Sequence, residues 1–324
     1  MSWMQLSINT TEEAVDWVCS LLASTNYTSD IQIAKYTESN LNKPTDQNIT
    51  QSCWAFTVCF YLPCDVHTNV RRAEIVDLLS PLERVGLATT IHTNLFDEKP
   101  ANSEELNPVI HRIGKQFVVL SSDTPYHSQT VNEVTLRLKP SLAFGSGLHP
   151  ATILSLQLVE RHVVPQMNVL DLGSGSGILS VAIAKLGAQV LALDNDPIAV
   201  ESTHDAVHRN GVEQQVTVME GSLGQGSSLG HWLGRDTINN VATIEPTASF
   251  DLIIANILAR IHIALAPDFR RALRHTDQQT GILITSGFSN DYEDAVTTSL
   301  KEEGFEVIDC ERLDEWVALA YGLK

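Results

Sequence analysis

Two glycine-rich turns lie close together in this chain, LAFGSGLHPAT at residues 142–152 and VLDLGSGSGIL at residues 169–179. Each runs straight into an apolar helical pattern. Glycine costs backbone entropy and is kept where the chain bends sharply or meets a ligand closely, so two such turns suggest two walls of one pocket. In the second turn the strand VLDL ends at Gly173, Gly175 and Gly177, and a helix opens at Ile178. That layout brings backbone N–H groups to a ligand at a helix N-terminus. Asp194 ends the next apolar strand, LALD, where a carboxylate can hold both ribose hydroxyls of a nucleoside. Its alternative task is capping the helix of DNDPIAVEST, which Asn195 or Asp196 could also do.

Spacing narrows the nucleoside. The dinucleotide fingerprint is G-x-G-x-x-G, whereas this turn reads G-x-G-x-G and has Ile178 where the third glycine belongs. Asp171, just before the turn, adds negative charge that would repel a pyrophosphate and attract an amine or a sulfonium. S-adenosyl-L-methionine (S-adenosylmethionine) is the nucleoside with that chemistry.

Asn256 ends a further apolar strand, FDLIIAN, where its amide can accept a hydrogen bond from a substrate amine. Enzymes that methylate amide or base nitrogens often follow such an Asn with Pro-Pro and an aromatic ring. Ile257 and Leu258 follow here, which points to an aliphatic amine. The other reading of Asn256 is a polar strand-to-helix turn residue. In the first glycine turn Gly145 and Gly147 let the loop fold over a ligand, and Phe144 would wall the pocket. Pro150 suits a first helical turn, and the Thr152 hydroxyl could bond a cofactor or a backbone group. His149 could act as a base but reads better as a capping or packing group. His204 and His208 share a helix face without a carboxylate ligand pattern, so no metal is expected.

The elements that must position these residues fall into two patterns. From Val169 onward, the aliphatic blocks VLDL, QVLALD, QVTVM, FDLIIAN and GILITSG alternate with helices, which predicts an α/β fold with a doubly wound, Rossmann-like, mostly parallel sheet. Before residue 97 the order is strand, helix, strand, strand, helix, strand, the layout of an α+β ferredoxin-like sandwich. Its first helix would face Ala14, Val15, Val18, Leu21 and Leu22 inward. The polar, proline-bearing stretch 97–112 reads as a linker, and GKQFVVLSS and VNEVTLRLK as strands beyond it. The expected division is 1–96, a connecting part over 97–130, and a main domain over 131–324. The Gly-, Ser- and Thr-rich stretch 221–249 reads as a long, mobile surface loop.

A net charge of −18 argues against direct nucleic-acid binding and suits a basic partner. Five cysteines without a CxxC pair indicate neither a zinc site nor a disulfide framework. No secretory signal or membrane-length apolar run is evident, so a cytoplasmic protein with reduced thiols is expected.

DLGSGSG, the acidic strand end at Asp194 and FDLIIANIL together resemble a class I S-adenosylmethionine-dependent methyltransferase. With LRLKPSLAFGSGLHPAT added, the chain resembles the ribosomal protein L-11 methyltransferase family, whose motifs run FGTGTHPTT, D-x-G-x-G-S-G-I-L, I-D-x-D-P and A-N-I-L. Ser146, Leu148 and Ala151 stand where the family often has threonine. The resemblance implies a seven-stranded sheet and methylation of lysine and N-terminal amines of ribosomal protein L-11, presented by the N-terminal domain of a monomer. It places Thr152, Gly173, Asp194 and Asn256 at cofactor-contacting positions. Two alternatives stay open: a methyltransferase of this fold acting on another protein or a small molecule, and a non-catalytic nucleoside-binding module.

Overall fold

Alternating apolar and polar residues in WMQLSINT form the first strand, β1 (Trp3–Thr10), which sends Leu6 and Ile8 into a core. In a computed structural model, residues 2–23, 25, 31–37, 54–98, 110–121, 124–139, 147–224, 241–276 and 279–324 are described. After β1 come α1 (Ala14–Ala23), β2 (Ile31–Lys35), β3 (Phe56–Pro63), α2 (Thr68–Arg84) and β4 (His92–Phe96). The four strands pair antiparallel in the order β2-β3-β1-β4, the sheet of a ferredoxin-like sandwich. Val15, Val18 and Leu22 of α1 and Ile75 and Leu79 of α2 bury against Val58, Phe60 and Leu62 of β3. Leu21, expected inside, is only partly buried at the edge of that core.

The chain continues with β5 (Ile110–Ile113), β6 (Phe117–Ser121), β7 (Val134–Leu138), α3 (Pro150–His162), β8 (Asn168–Leu172), α4 (Ile178–Lys185), β9 (Gln189–Asp194), α5 (Pro197–Asn210) and β10 (Val216–Glu220). Two short strands follow, β11 (Ser222–Leu223) and β12 (Thr243–Ile244), then β13 (Leu252–Asn256) and α6 (Ala259–Ala272). The chain ends with β14 (His275–Thr276), β15 (Gln279–Thr280), β16 (Ile282–Ser289), α7 (Glu293–Glu302), β17 (Phe305–Leu313) and β18 (Trp316–Leu323).

Seven of these strands form one sheet in the order β10-β9-β8-β13-β16-β18-β17. The first five run parallel, and β18 enters antiparallel between β16 and β17. Both faces are covered, which is why the central strands are almost wholly aliphatic. In β13, Leu252 and Ile254 face α3, α4 and α5, while Ile253 and Ala255 face α6 and α7. Burying one such side chain stabilises the fold by about 1.5–3 kcal/mol.

The described residues divide into two compact units, with breaks after Ile110, Lys139 and His149. Residues 111–130 therefore go with the large sheet and not with a linker, so the expected boundary at 131 moves back. The reason is that β6 pairs in parallel with β7, and both bury Phe117 and Leu136 in the core shared by α3 and β8. The stretch 221–249 is not wholly loop, because β11 pairs in parallel with β12 across it; residues 225–240 lie outside the described residues.

Candidate active site

Strand register brings the expected residues together. Leu172, the last residue of β8, pairs with Leu193 of β9 on one side and Ala255 of β13 on the other. Gly173, Asp194 and Asn256 each stand one residue further on, at the carboxyl ends of three neighbouring strands. The strand order also reverses here, since the connections from β8 lead through β9 and β10 before returning to β13 on its other side. A crevice at such a switch point is the ligand site of open α/β sheets.

The glycine turn is tighter than its sequence suggests. Gly173 and Ser174 donate their N–H groups to the Leu193 carbonyl at 2.8 and 3.0 Å, and Gly175 donates to Asp194 Oδ2 at 2.9 Å. Gly177 donates to the Ser174 carbonyl at 2.8 Å. The expected cradle of free N–H groups is thus largely used inside the turn. A loop built for pyrophosphate would leave such donors for the ligand, so their internal use fits a ligand without phosphate. Gly177, at φ 80°, has to be glycine, because a Cβ there would lie 2.9 Å from Thr203 Cα.

Asp194 is held by two main-chain donors, Gly175 N–H and Asp196 N–H, the latter at 3.0 Å on Oδ1. Asp196 takes the capping task, accepting from Ile198 N–H at 2.9 Å with Pro197 in the first turn of α5. Asp194 is therefore not the cap, and main-chain donors fix both of its oxygens at the strand end.

Asp171 differs from expectation. It is fully buried, and Ser180 Oγ donates to its Oδ2 at 2.5 Å while Oδ1 has no partner among the described residues. Burial pushes its carboxyl up to about 7, and the Asp194 charge adds to that rise. It presents no open negative charge to the turn; a cation brought close would favour its ionised form.

Thr152 is fully buried in the first turn of α3, which starts at Pro150. Asn256 Nδ2 donates to Thr152 Oγ1 at 3.3 Å, and Asn256 Oδ1 is a buried oxygen with no partner among the described residues. Gly147 has φ 84°, a left-handed turn residue as its type implies. Phe144 and Gly145 lie outside the described residues. His149 is buried, and burial lowers its pKa to about 4, so it stands as a neutral imidazole. His208 instead faces solvent and meets Glu213 Oε1 at 2.8 Å.

Several residues at the site escaped the reading of motifs. Thr203 Oγ1 bonds Ser174 Oγ at 2.9 Å and the Gly175 carbonyl at 3.0 Å, tying α5 to the glycine turn. His262 and Ser286 sit beneath the turn after Asn256. The available signal for His262 was a histidine on the apolar stripe of α6, in register with Ala259, Leu265, Ala266 and Phe269. For the end of β16 it was a glycine inside an apolar strand, Gly287.

With this geometry in hand, the chain matches the family model of ribosomal protein L11 methyltransferase (PrmA) over residues 2–323. It is 40% identical to a ribosomal protein L11 methyltransferase from Chloroflexus aurantiacus, with 99% of this chain and 98% of that protein covered. To the protein of that name from Herpetosiphon aurantiacus it is 35% identical, with 99% of each covered. The crystal structure of a ribosomal protein L11 methylase from Lactobacillus delbrueckii subsp. bulgaricus superposes with a TM-score of 0.53 at 29% identity, covering 66% of this chain and 98% of that one. Motif order, strand-end geometry and similarity along almost the whole length agree, and this chain belongs to the ribosomal protein L11 methyltransferase family.

Proposed function

We propose that this chain transfers methyl groups from S-adenosylmethionine to lysine side-chain and N-terminal α-amines of ribosomal protein L11, and that Asn256 receives the amine. The observation that carries this reading is the state of the Asn256 amide: its nitrogen is engaged by Thr152, and its buried oxygen is left without a partner. An unpartnered buried carbonyl costs about 1–3 kcal/mol, which an incoming N–H donor would relieve.

The residues fit the cofactor. Asp194, with two oxygens pre-oriented by main-chain donors, is suited to the ribose hydroxyls. Gly173 and Gly175 let backbone approach the ligand, Thr152 braces Asn256, and the orphaned Oδ1 of Asp171 lies behind the turn. S-adenosylmethionine supplies an electrophilic methyl group on a sulfonium. The chain's part is to hold the amine in line with that methyl and to keep water away. Asn256 Oδ1 accepts one N–H of the neutral amine and so turns the nitrogen lone pair towards the carbon. Positioning of this kind can supply about 7–11 kcal/mol.

No general base is assigned. Burial holds His149 and His262 at about 4, far too weak to take a proton from an ammonium. The proton leaves to water before the amine settles against Asn256.

The four-stranded N-terminal unit is read as the platform that presents L11. A chain of net charge −18 suits a cationic protein partner and disfavours direct contact with nucleic acid. No helix among the described residues is long and apolar enough to cross a membrane. As a modifier of a ribosomal protein, the protein is read as cytoplasmic, and it is read as a monomer.

Intact-mass spectrometry of unmethylated L11, before and after incubation with the protein and S-adenosylmethionine, tests the reading. L11 is expected to gain whole methyl increments at amines. Unmodified L11 beside a methylated different ribosomal protein would overturn the substrate assignment.

A further inference from the structure

Segments far apart in the chain close a ring of hydrogen bonds beside Asn256. Asn256 Nδ2 donates to Thr152 Oγ1 at 3.3 Å, and the adjacent Ala151 carbonyl accepts from Ser286 Oγ at 2.9 Å. The Ser286 carbonyl in turn accepts from Ile257 N–H at 3.1 Å and lies 2.9 Å from His262 Nε2. His262 Nε2 also lies 3.1 Å from the Ile257 carbonyl, which returns the ring to the residue after Asn256.

Both neighbours of His262 Nε2 are carbonyl oxygens, so that nitrogen carries the proton and shares it between them. The side chain is wholly buried, with burial lowering its pKa to about 4, so it remains neutral and in this tautomer. Its ring stands edge-on to Phe288 at 5.3 Å. Nδ1 has no partner among the described residues. A position selected for packing alone would hold an apolar side chain, since an unsatisfied buried nitrogen costs stability.

Backbone closes the same turn from two further sides. A Cβ at Gly287 would lie 2.6 Å from the Ile257 carbonyl oxygen and 2.7 Å from its nitrogen, and a Cβ at Gly173 would lie 2.6 Å from Ile257 Cγ2. The residue after Asn256 is therefore clasped between the glycine turn, the end of β16 and His262.

We infer that His262 is a positioning residue for methyl transfer: its shared Nε2–H, through the Ile257 and Ser286 carbonyls, fixes the turn that holds Asn256 Oδ1 ready for the substrate amine. The inference rests on the reading of Asn256 given above. Its role is indirect, since it is wholly buried and acts on Asn256 through the Ile257 and Ser286 carbonyls.

The test uses the full chain with L11 and S-adenosylmethionine, and compares His262→Phe, His262→Gln and His262→Asn. Gln can set an amide N–H where Nε2–H lies, whereas Asn places it near Nδ1. The Phe and Asn variants are expected to lose about tenfold in kcat with the KM for S-adenosylmethionine within about twofold, and Gln to recover most of the rate. In an Asn256→Ala background the Phe change is expected to slow the reaction no further. If kcat follows melting temperature across the series with Gln no better than Asn, or if the two losses multiply, the inference is overturned. Should His262→Phe not fold, the contrast between Gln and Asn decides alone. Full kcat in Asn256→Ala would instead sink the reading of Asn256 on which the inference rests.

Discussion

In the N-terminal sheet, polar side chains join hands across the strands: Asn94 Nδ2 donates to Gln5 Oε1 at 3.3 Å, Gln5 Nε2 to Tyr61 OH at 3.0 Å, and Tyr61 OH to Gln32 Oε1 at 3.3 Å. These residues belong to β4, β1, β3 and β2, and so cover the breadth of one face. In β8, β9 and β13 of the large sheet, polar residues stand instead only at the first position or near the carboxyl end: Asn168 and Gln189, then Asp171, Asp194 and Asn256. The difference follows from coverage. A sheet with helices on one face can spread hydrogen-bonding groups over the other, whereas a sheet covered on both faces has room for them only where its strands stop. The second arrangement gathers polar atoms into one crevice, where a small cofactor can engage several at once.

The comparison breaks most visibly at Asp171, the one carboxylate sealed inside the large sheet. Burial raises its pKa from 3.8 to about 7, so the folded protein holds that proton more tightly than the unfolded chain does. The stability tied to this proton is complete below pH 3.8 and is lost as pH rises through about 7. In Asp171→Asn that loss is absent. Urea unfolding across this range should show wild type losing on the order of 4 kcal/mol relative to the variant, then no further change at higher pH. Parallel curves for the two proteins would show that Asp171 is not desolvated in solution.

Asp194→Ala comes next. It removes the acceptor for two main-chain N–H groups and the charge proposed to hold the ribose. Calorimetric affinity for S-adenosylmethionine should fall by about tenfold or more, or about 1.4 kcal/mol at least. An unchanged affinity would take the strand ends out of cofactor binding.

The smallest effect is expected from Gln5→Ala, which cuts the ladder of the N-terminal sheet in the middle. Chemical denaturation should register about 1 kcal/mol, with cofactor affinity unaltered. A cofactor defect in this variant would mean that the two sheets do not divide their tasks as proposed.

Much of the frame was legible because its causes are local. The strand blocks VLDL, QVLALD and FDLIIAN became β8, β9 and β13, and the helix expected to open at Ile178 does so. The split order of the first unit follows from strand and helix periodicities that a short window reveals. The boundary at 131 failed because it was judged by composition, while β6 and β7 owe their place to pairing with each other and burial against α3. The charge assigned to Asp171 failed for a related reason: whether a carboxylate is solvated depends on what packs over it, and Ser180 of α4 and the helix behind it are three-dimensional neighbours.

By itself the sequence determined which elements form and which polar residues end the strands, because turn chemistry, capping and apolar period act within a few residues. It also carried the family, since the glycine turns and strand ends occur in order along the chain. The tertiary structure alone decided which amides of the glycine turn are already taken, that Asp196 and not Asp194 caps α5, and that Thr152 braces Asn256 from 104 residues away. It alone brought His262 and Ser286 under the same turn. Such facts depend on how distant segments close on one another, and desolvation and hydrogen-bond competition exist only once they have closed.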